Sequence, residues 1–500
     1  MIVSPSRRTV LVGIAGVVGS TACNDQDARA LTGNGAHAAG RVQPGSADSA
    51  PRRQVLPLSR FGVDRFATRD QWPALRRAFE AAHAEGFDLV ADPYASYRHD
   101  GVLMLDGVSL EGGGCTFIAL SDGPQVLRCI GSGWRVANLR LLGAARTRTS
   151  ANEGNGIMIG DGNARPATDF VLENVTVDAV GPGRGVAAAG MMFSNASKGR
   201  IVRPIVRHSM ADGIHVTNGS HNLIFDQSVC EDTGDDGFAV VSYRGQGRLC
   251  HTITVNDGVS RVSAARGCSV VGGRDVIYRR FTAERSSAAG AYFYGEDAYD
   301  TFGVYRCRLI DPILRQCVTG RGQAPEFSNA ALILGGRDGL DMVDGISIPR
   351  GASECIVTNP IVEGAGAACT AGISTHQYAI RPRITGGRLS DLVSSNGSLR
   401  ANGVEIGGRD VTVSGIRMND IAGLAIVVLK TASGTCLVDG PHVTGSLTRP
   451  GPIDSFVYAD PAPALRRMTI RGGRFAKGPG KLAIDLLPAN RLHLVGNTVL

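Results

Sequence analysis

The chain has 500 residues, 19% of them charged, with 67 Gly, 5% aromatic residues and a net charge of +7. That length gives ample core for one large domain or two smaller ones. Gly without a collagen period serves turns, and no Lys/Arg block exceeds a pair. A nucleic-acid partner is excluded by the lack of a basic stripe or known module, whereas an acidic glycan stays compatible with a mildly basic surface.

The N-terminus reads as an export signal. Ser6-Arg7-Arg8-Thr9-Val10-Leu11 has the twin-arginine pattern, and the apolar run Val10 to Val18 is too short to span a bilayer. Ser20-Thr21-Ala22-Cys23 looks like a lipoprotein cleavage box, with Ser20 in place of the usual aliphatic residue. Ala28-Arg29-Ala30 is an alternative cleavage site. The expected organisation is a signal over 1–23, a flexible linker over 24–57 and one domain over 58–500. The expected location is the periplasm or cell surface, with a lipid on Cys23 as the sole membrane attachment if cleavage falls there, and secretion otherwise. Ten later Cys, from Cys115 to Cys436, include no C-x-x-C and no zinc spacing, so they read as small buried apolar residues.

Trp72, Leu75, Phe79 and Ala82 share one helical face, which predicts a helix over 71–84 with Pro73 in its first turn and Gly86 at its end. Strand-like runs follow at 87–90, 102–105 and 108–112. From there one unit repeats: a Gly, a short alternating strand, a polar turn and a second strand. Its starts are Gly156, Gly190, Gly213, Gly237, Gly267 and Gly290, the last five at nearly even steps with one longer stride from Gly237 to Gly267. The pattern resumes at Gly345, Gly372, Gly403 and Gly423. Coils of roughly 20 to 30 residues predict an all-β, single-stranded parallel β-helix, with the helix at 71–84 as its N-terminal cap.

Two consecutive coils carry acidic signatures, Ala211-Asp212-Gly213 and Gly234-Asp235-Asp236-Gly237, placed just where each coil opens. One coil returns the chain to the same side one layer up, so Asp212, Asp235 and Asp236 should crowd together and raise one another's pKa, as general acids and bases require. The bland alternative is turn capping by Asp-Gly pairs. A calcium site of Asp232, Asp235 and Asp236 is a third reading; otherwise no cofactor is expected. His215 alternates with Ile214 and Val216, so it faces outward and could bind sugar or shuttle protons. Arg244 lies in a Gly-rich insertion expected to wall a cleft. Tyr292 and Tyr294 share one parity, as core or as a sugar platform, and Glu296 and Asp297 could join the acidic patch.

These segments resemble the right-handed parallel β-helix proteins of the pectin lyase-like superfamily, and the resemblance implies the right hand of the coil. Residues 210–240 look most like the polygalacturonase family of glycoside hydrolases, in which an N-T-D-G segment precedes a G-D-D segment by one coil. The resemblance implies an inverting hydrolysis, with Asp236 or Asp235 as acid and Asp212 with the remaining Asp as base. It also implies a polysaccharide or oligosaccharide partner. Two positions depart from the pattern. The family's G-H-G segment reads Ala265-Arg266-Gly267, and its R-x-K pair reads Tyr292-Phe293-Tyr294. Losing both cations argues against polygalacturonate and for a neutral or differently charged glycan held by His215, Arg244, Arg266, Tyr292 and Tyr294. Alternatives are a polysaccharide lyase or epimerase with a base such as His215, Arg266 or Tyr292, and a non-catalytic glycan-binding protein.

Overall fold

A computed structural model describes residues 53–123, 127–320, 329–394, 401–448, 453–487 and 491–500. The expected export signal, Cys23 and the expected linker up to residue 52 lie outside the described residues. Val55–Pro57, at the end of the expected linker, already pair in parallel with Asp88–Val90.

The chain winds as a right-handed parallel β-helix. One helix, α1 (Trp72–Glu85), closes its N-terminal end. Leu75, Ala78, Phe79 and Ala82 are buried, and Gly86 ends α1 in the left-handed conformation at φ +77°. The coil-start strands stack in one parallel sheet: β1 (Ile157–Ile159), β2 (Met191–Ser194), β3 (Ile214–Thr217), β4 (Phe238–Val241), β5 (Cys268–Val271) and β6 (Ala291–Tyr294). In this register Met192, His215, Ala239, Ser269 and Tyr292 form one outward column. The intervening side chains fill the interior, where Phe170, Phe193, Phe225, Phe238 and Tyr278 stack from rung to rung with centroids 4.9 to 6.4 Å apart.

The glycine that opens each coil is set by close approach. A Cβ at Gly213 would meet the Gly237 carbonyl at 2.5 Å, and one at Gly237 would run into Ser260. The ten described cysteines are buried free thiols, as their spacing predicts.

Two coil starts differ from expectation. Gly345 opens no rung: Asp344 (φ +52°) and Gly345 (φ +71°) turn a hairpin between β7 (Ala330–Val343) and β8 (Ile346–Ser353). Successive left-handed residues suit a two-residue hairpin turn, which is the other use of an Asp-Gly pair. The rung after β6 is instead the start of β7, with Leu332 beside Ala291. At the later site the strand is Ile426–Val428, and Ala425 rather than Gly423 holds the coil-start position beside Gly403.

Candidate active site

The residue before each coil-start glycine forms a second column: Asn155, Ala189, Asp212, Asp236 and Arg266. Here an Asn or Asp side chain accepts the backbone N–H of its neighbour one rung up. Asn155 Oδ1 takes Ala189 N–H at 3.1 Å, Asp212 Oδ1 takes Asp236 N–H at 2.9 Å, and Asp236 Oδ1 takes Arg266 N–H at 2.8 Å. Asn402 repeats the arrangement with Leu424. The turn-capping reading of Asp212 and Asp236 is therefore correct for one oxygen of each. It leaves Oδ2 for other work, which Asn cannot supply in ionised form.

Asp212 Oδ2 lies 2.5 Å from His215 Nδ1, and Asp236 Oδ2 accepts from Ser269 Oγ at 2.6 Å. Asp235, on the turn between them, meets Arg148 Nη2 at 2.8 Å. Oxygens of Asp212, Asp235 and Asp236 all lie within 4.8 Å of one another. They line a cleft of about 740 Å³, together with His215, Tyr243, Gln246, Arg266, Glu296 and Tyr299. The sequence expectation that three carboxylates converge is met.

Burial pushes the Asp236 carboxyl up to about 7, opposed by Arg266 and reinforced by Asp212 and Asp235. Burial also raises Asp235, helped by Asp212 and opposed by Arg148. The Asp236 side chain is 5% exposed and that of Asp235 30%, so Asp235 is the more open to a bound molecule.

Beneath the carboxylates Arg266 is buried. Its Nη1 is 3.6 Å from Asp236, its Nη2 is 2.6 Å from Glu296, and its Cζ sits 4.3 Å from the Tyr292 ring centroid. Several expected ligand contacts are corrected by this packing. Tyr292 faces outward but is covered by Arg266, with 1% exposure. Tyr294 stacks on Tyr292 at 4.9 Å and meets His376 edge-on, so neither ring is an open sugar platform. Arg266 touches the cleft but is held by two carboxylates. Arg244 is engaged by Asp300 at 2.8 Å and Asp341 at 3.2 Å and does not line the cleft. Asp297 pairs with Arg337 instead of joining the acidic patch, whereas Glu296 does join it.

The exposed aromatic of the cleft is Tyr299, 61% accessible, with Tyr243 stacked 6.5 Å from His215. Tyr243 and Arg148 escape sequence reasoning. Arg148 lies 87 residues from Asp235, with no pattern linking them. Asn155-Gly156 was legible in principle, as an Asx-Gly pair in the same repeat position as Asp212-Gly213.

The calcium set expected from Asp232 does not form. Asp232 occupies a left-handed corner (φ +52°), is 69% exposed and lies 3.8 Å from His208. The three converging carboxylates are met by backbone N–H, hydroxyl, imidazole and guanidinium donors.

No family model matches the chain, and no curated protein matches it. Similar folds occur among solved structures. The N-terminal fragment of gene product 12 of bacteriophage Phi29 is 11% identical, with a TM-score of 0.63 over 86% of this chain and 71% of that one. The surface adhesin PfbA of Streptococcus pneumoniae is 12% identical, with a TM-score of 0.53 over 78% and 92%. The catalytic unit of the GH87 alpha-1,3-glucanase of Streptomyces thermodiastaticus is 14% identical, with a TM-score of 0.51 over 86% and 70%. These likenesses establish the β-helix fold that the pectin lyase-like resemblance implies, and they carry that resemblance no further toward polygalacturonases. A fold shared by an adhesin and a glucanase leaves function to the site.

Proposed function

We propose that the protein is an exported glycoside hydrolase acting on an uncharged polysaccharide. The observation that carries this is the convergence of Asp212, Asp235 and Asp236 in an open cleft beside Tyr243 and Tyr299. Asp235, the most exposed of the three, gives its proton to the glycosidic oxygen as the C–O bond breaks and the bonding pair moves to that oxygen. Asp236, assisted by Asp212 and its partner His215, takes a proton from water as the water oxygen bonds to the anomeric carbon. Both oxygens of Asp212 and of Asp236 already have hydrogen-bonding partners. Inversion is what the resemblance implies, against oxygens within 4.8 Å of one another that lie nearer the retaining separation of about 5–5.5 Å; the product anomer should be inverted, which NMR of the fresh product reads directly. Retention would overturn the single-displacement scheme.

Charge argues for a neutral substrate. Asp212, Asp235, Asp236 and Glu296 face the cleft against Arg148 and Arg266, and both guanidiniums are already paired with carboxylates. A polyanion would be repelled.

The test is reducing-end release from neutral glycans, alpha-1,3-glucan among them, and from acidic ones, by wild type and Asp236→Asn. Cleavage of a neutral glycan by wild type alone is expected, unchanged by a chelator. Binding without cleavage by either protein would make this a glycan-binding β-helix. The Asp212–His215 pair favours a second reading, proton abstraction by a lyase or epimerase. A product absorbing in the ultraviolet would identify a lyase.

A further inference from the structure

Arg148 is the one cleft residue whose contact conflicts with the chemistry proposed for its partner. It comes from the loop after the strand Arg135–Gly143, whose residues 148–152 form one side of the cleft. Its Nη2 lies 2.8 Å from Asp235 Oδ2 and its Nη1 lies 3.5 Å from the Gly234 carbonyl, while its side chain stays 45% exposed. A guanidinium on a carboxylate favours its ionised form, so Arg148 works against the burial and the Asp212 charge that raise Asp235, and against the protonation a general acid needs. The groups around Asp235 are Asp236, the next residue on the same turn, Asp212 one coil earlier, and Arg266, Arg148, Tyr243 and Tyr299. Of the two cations, Arg266 is buried and held by Asp236 and Glu296. Arg148 comes from a loop and keeps 45% of its side chain exposed.

Resting on the hydrolase reading above, we propose that Arg148 is a substrate-released latch: it favours the charged form of Asp235 in the empty cleft and leaves it when a sugar enters, so that Asp235 takes up the proton it then donates. The surroundings support the direction of this change. Burial and Asp212 raise Asp235 while Arg148 opposes them, so losing Arg148 removes the opposition. In the empty cleft Asp236 is the carboxyl lifted to about 7. A proton on Asp235 would increase the ionised share of Asp236, since two neighbouring carboxyls compete for one proton. The swing therefore arms the acid and the base together. Arg148 is a positioning residue, and a sugar hydroxyl displacing it from Asp235 needs no charge of its own.

The experiment compares the pH dependence of kcat/KM, which reports the free enzyme, with that of kcat, which reports the complex. The substrate is a reducing-end-labelled oligosaccharide of the neutral glycan that wild type cuts in the screen. In wild type the alkaline limb of kcat should lie at higher pH than that of kcat/KM. Arg148→Gln should move the kcat/KM limb up onto the limb of kcat, which stays in place. Arg148→Lys keeps the charge and should keep the two limbs apart. Coincident limbs in wild type, or limbs unmoved in an active Arg148→Gln enzyme, would overturn the latch alone. An acid limb that moves instead would make Asp235 the base and overturn it too. A wild type that cleaves no glycan would remove the hydrolase reading, and the latch with it.

Discussion

Asp212 and Asp236 each divide one carboxylate between two tasks. Oδ1 caps the turn, and Oδ2 faces His215 or Ser269. Asn155 and Asn402 do the first task with an amide. Asp212→Asn and Asp236→Asn should therefore fold normally, with circular dichroism and Tm close to wild type at pH 5. Each should lose about 10²–10⁴-fold in kcat if the oxygen is catalytic. Unchanged turnover in Asp236→Asn would return both residues to turn chemistry. Alanine is the less informative substitution, because it also orphans a backbone N–H.

At the scale of elements, the cleft wall is built from pieces distant in sequence. The β7–β8 hairpin packs Val343 and Ile348 against Leu249 and Phe302, and Arg337 reaches the Thr301 carbonyl at 2.7 Å. This small separate cluster backs the segments that carry Tyr243 and Tyr299. Ile348 is fully buried, so Ile348→Ala should cost about 2–5 kcal/mol locally. We expect KM for an oligosaccharide to rise several-fold with kcat little changed, because the wall and not the carboxylates is loosened. An equal fall in kcat would show that the hairpin supports the carboxylates themselves. At the other end Phe79, 2% exposed, anchors α1 over the first coil. Phe79→Ala should lower Tm markedly and speed proteolysis of the N-terminal coils.

Across the whole molecule, two sets of charges set opposite pH trends. On the sheet away from the cleft, Arg207, Glu231, Arg261, Glu284, Arg315, Glu363 and Arg388 alternate in sign, with contacts of 2.5 to 3.2 Å. Arg207 and Arg315 hold Glu231 and Glu363 below the ordinary carboxylate range. Their stabilisation is present near neutrality and lost as pH falls through those lowered values. Exposed pairs are individually weak, but alternation also disfavours a slipped rung, which would set like charges side by side. Asp236 acts the other way. Its folded value lies above the ordinary 3.8, so its contribution is complete in acid and is lost as pH rises toward about 7. The Tm of Asp236→Asn minus that of wild type should accordingly grow by a few degrees between pH 4 and pH 8. A constant difference would refute the raised value.

The sequence alone determined the coil, because a β-helix is periodic. A Gly opening coil after coil, alternating strands and one amphipathic helix recur locally enough to be read. It also determined that Asp212, Asp235 and Asp236 converge, since the step from Gly213 to Gly237 is one coil and so lands on the adjacent rung. Asp344-Gly345 misled because a hairpin turn and a coil turn use the same residues for the same left-handed backbone. Tertiary structure decided everything that depends on what covers a side chain. Parity turned Tyr292 outward, but the packing of Arg266, from the coil before it, and of Tyr294 buried the ring. Exposure selected Tyr299 over Tyr294, and a loop 87 residues away brought Arg148 to Asp235. Such contacts are made between loops, whose lengths follow no period, so no repeat in the sequence records them.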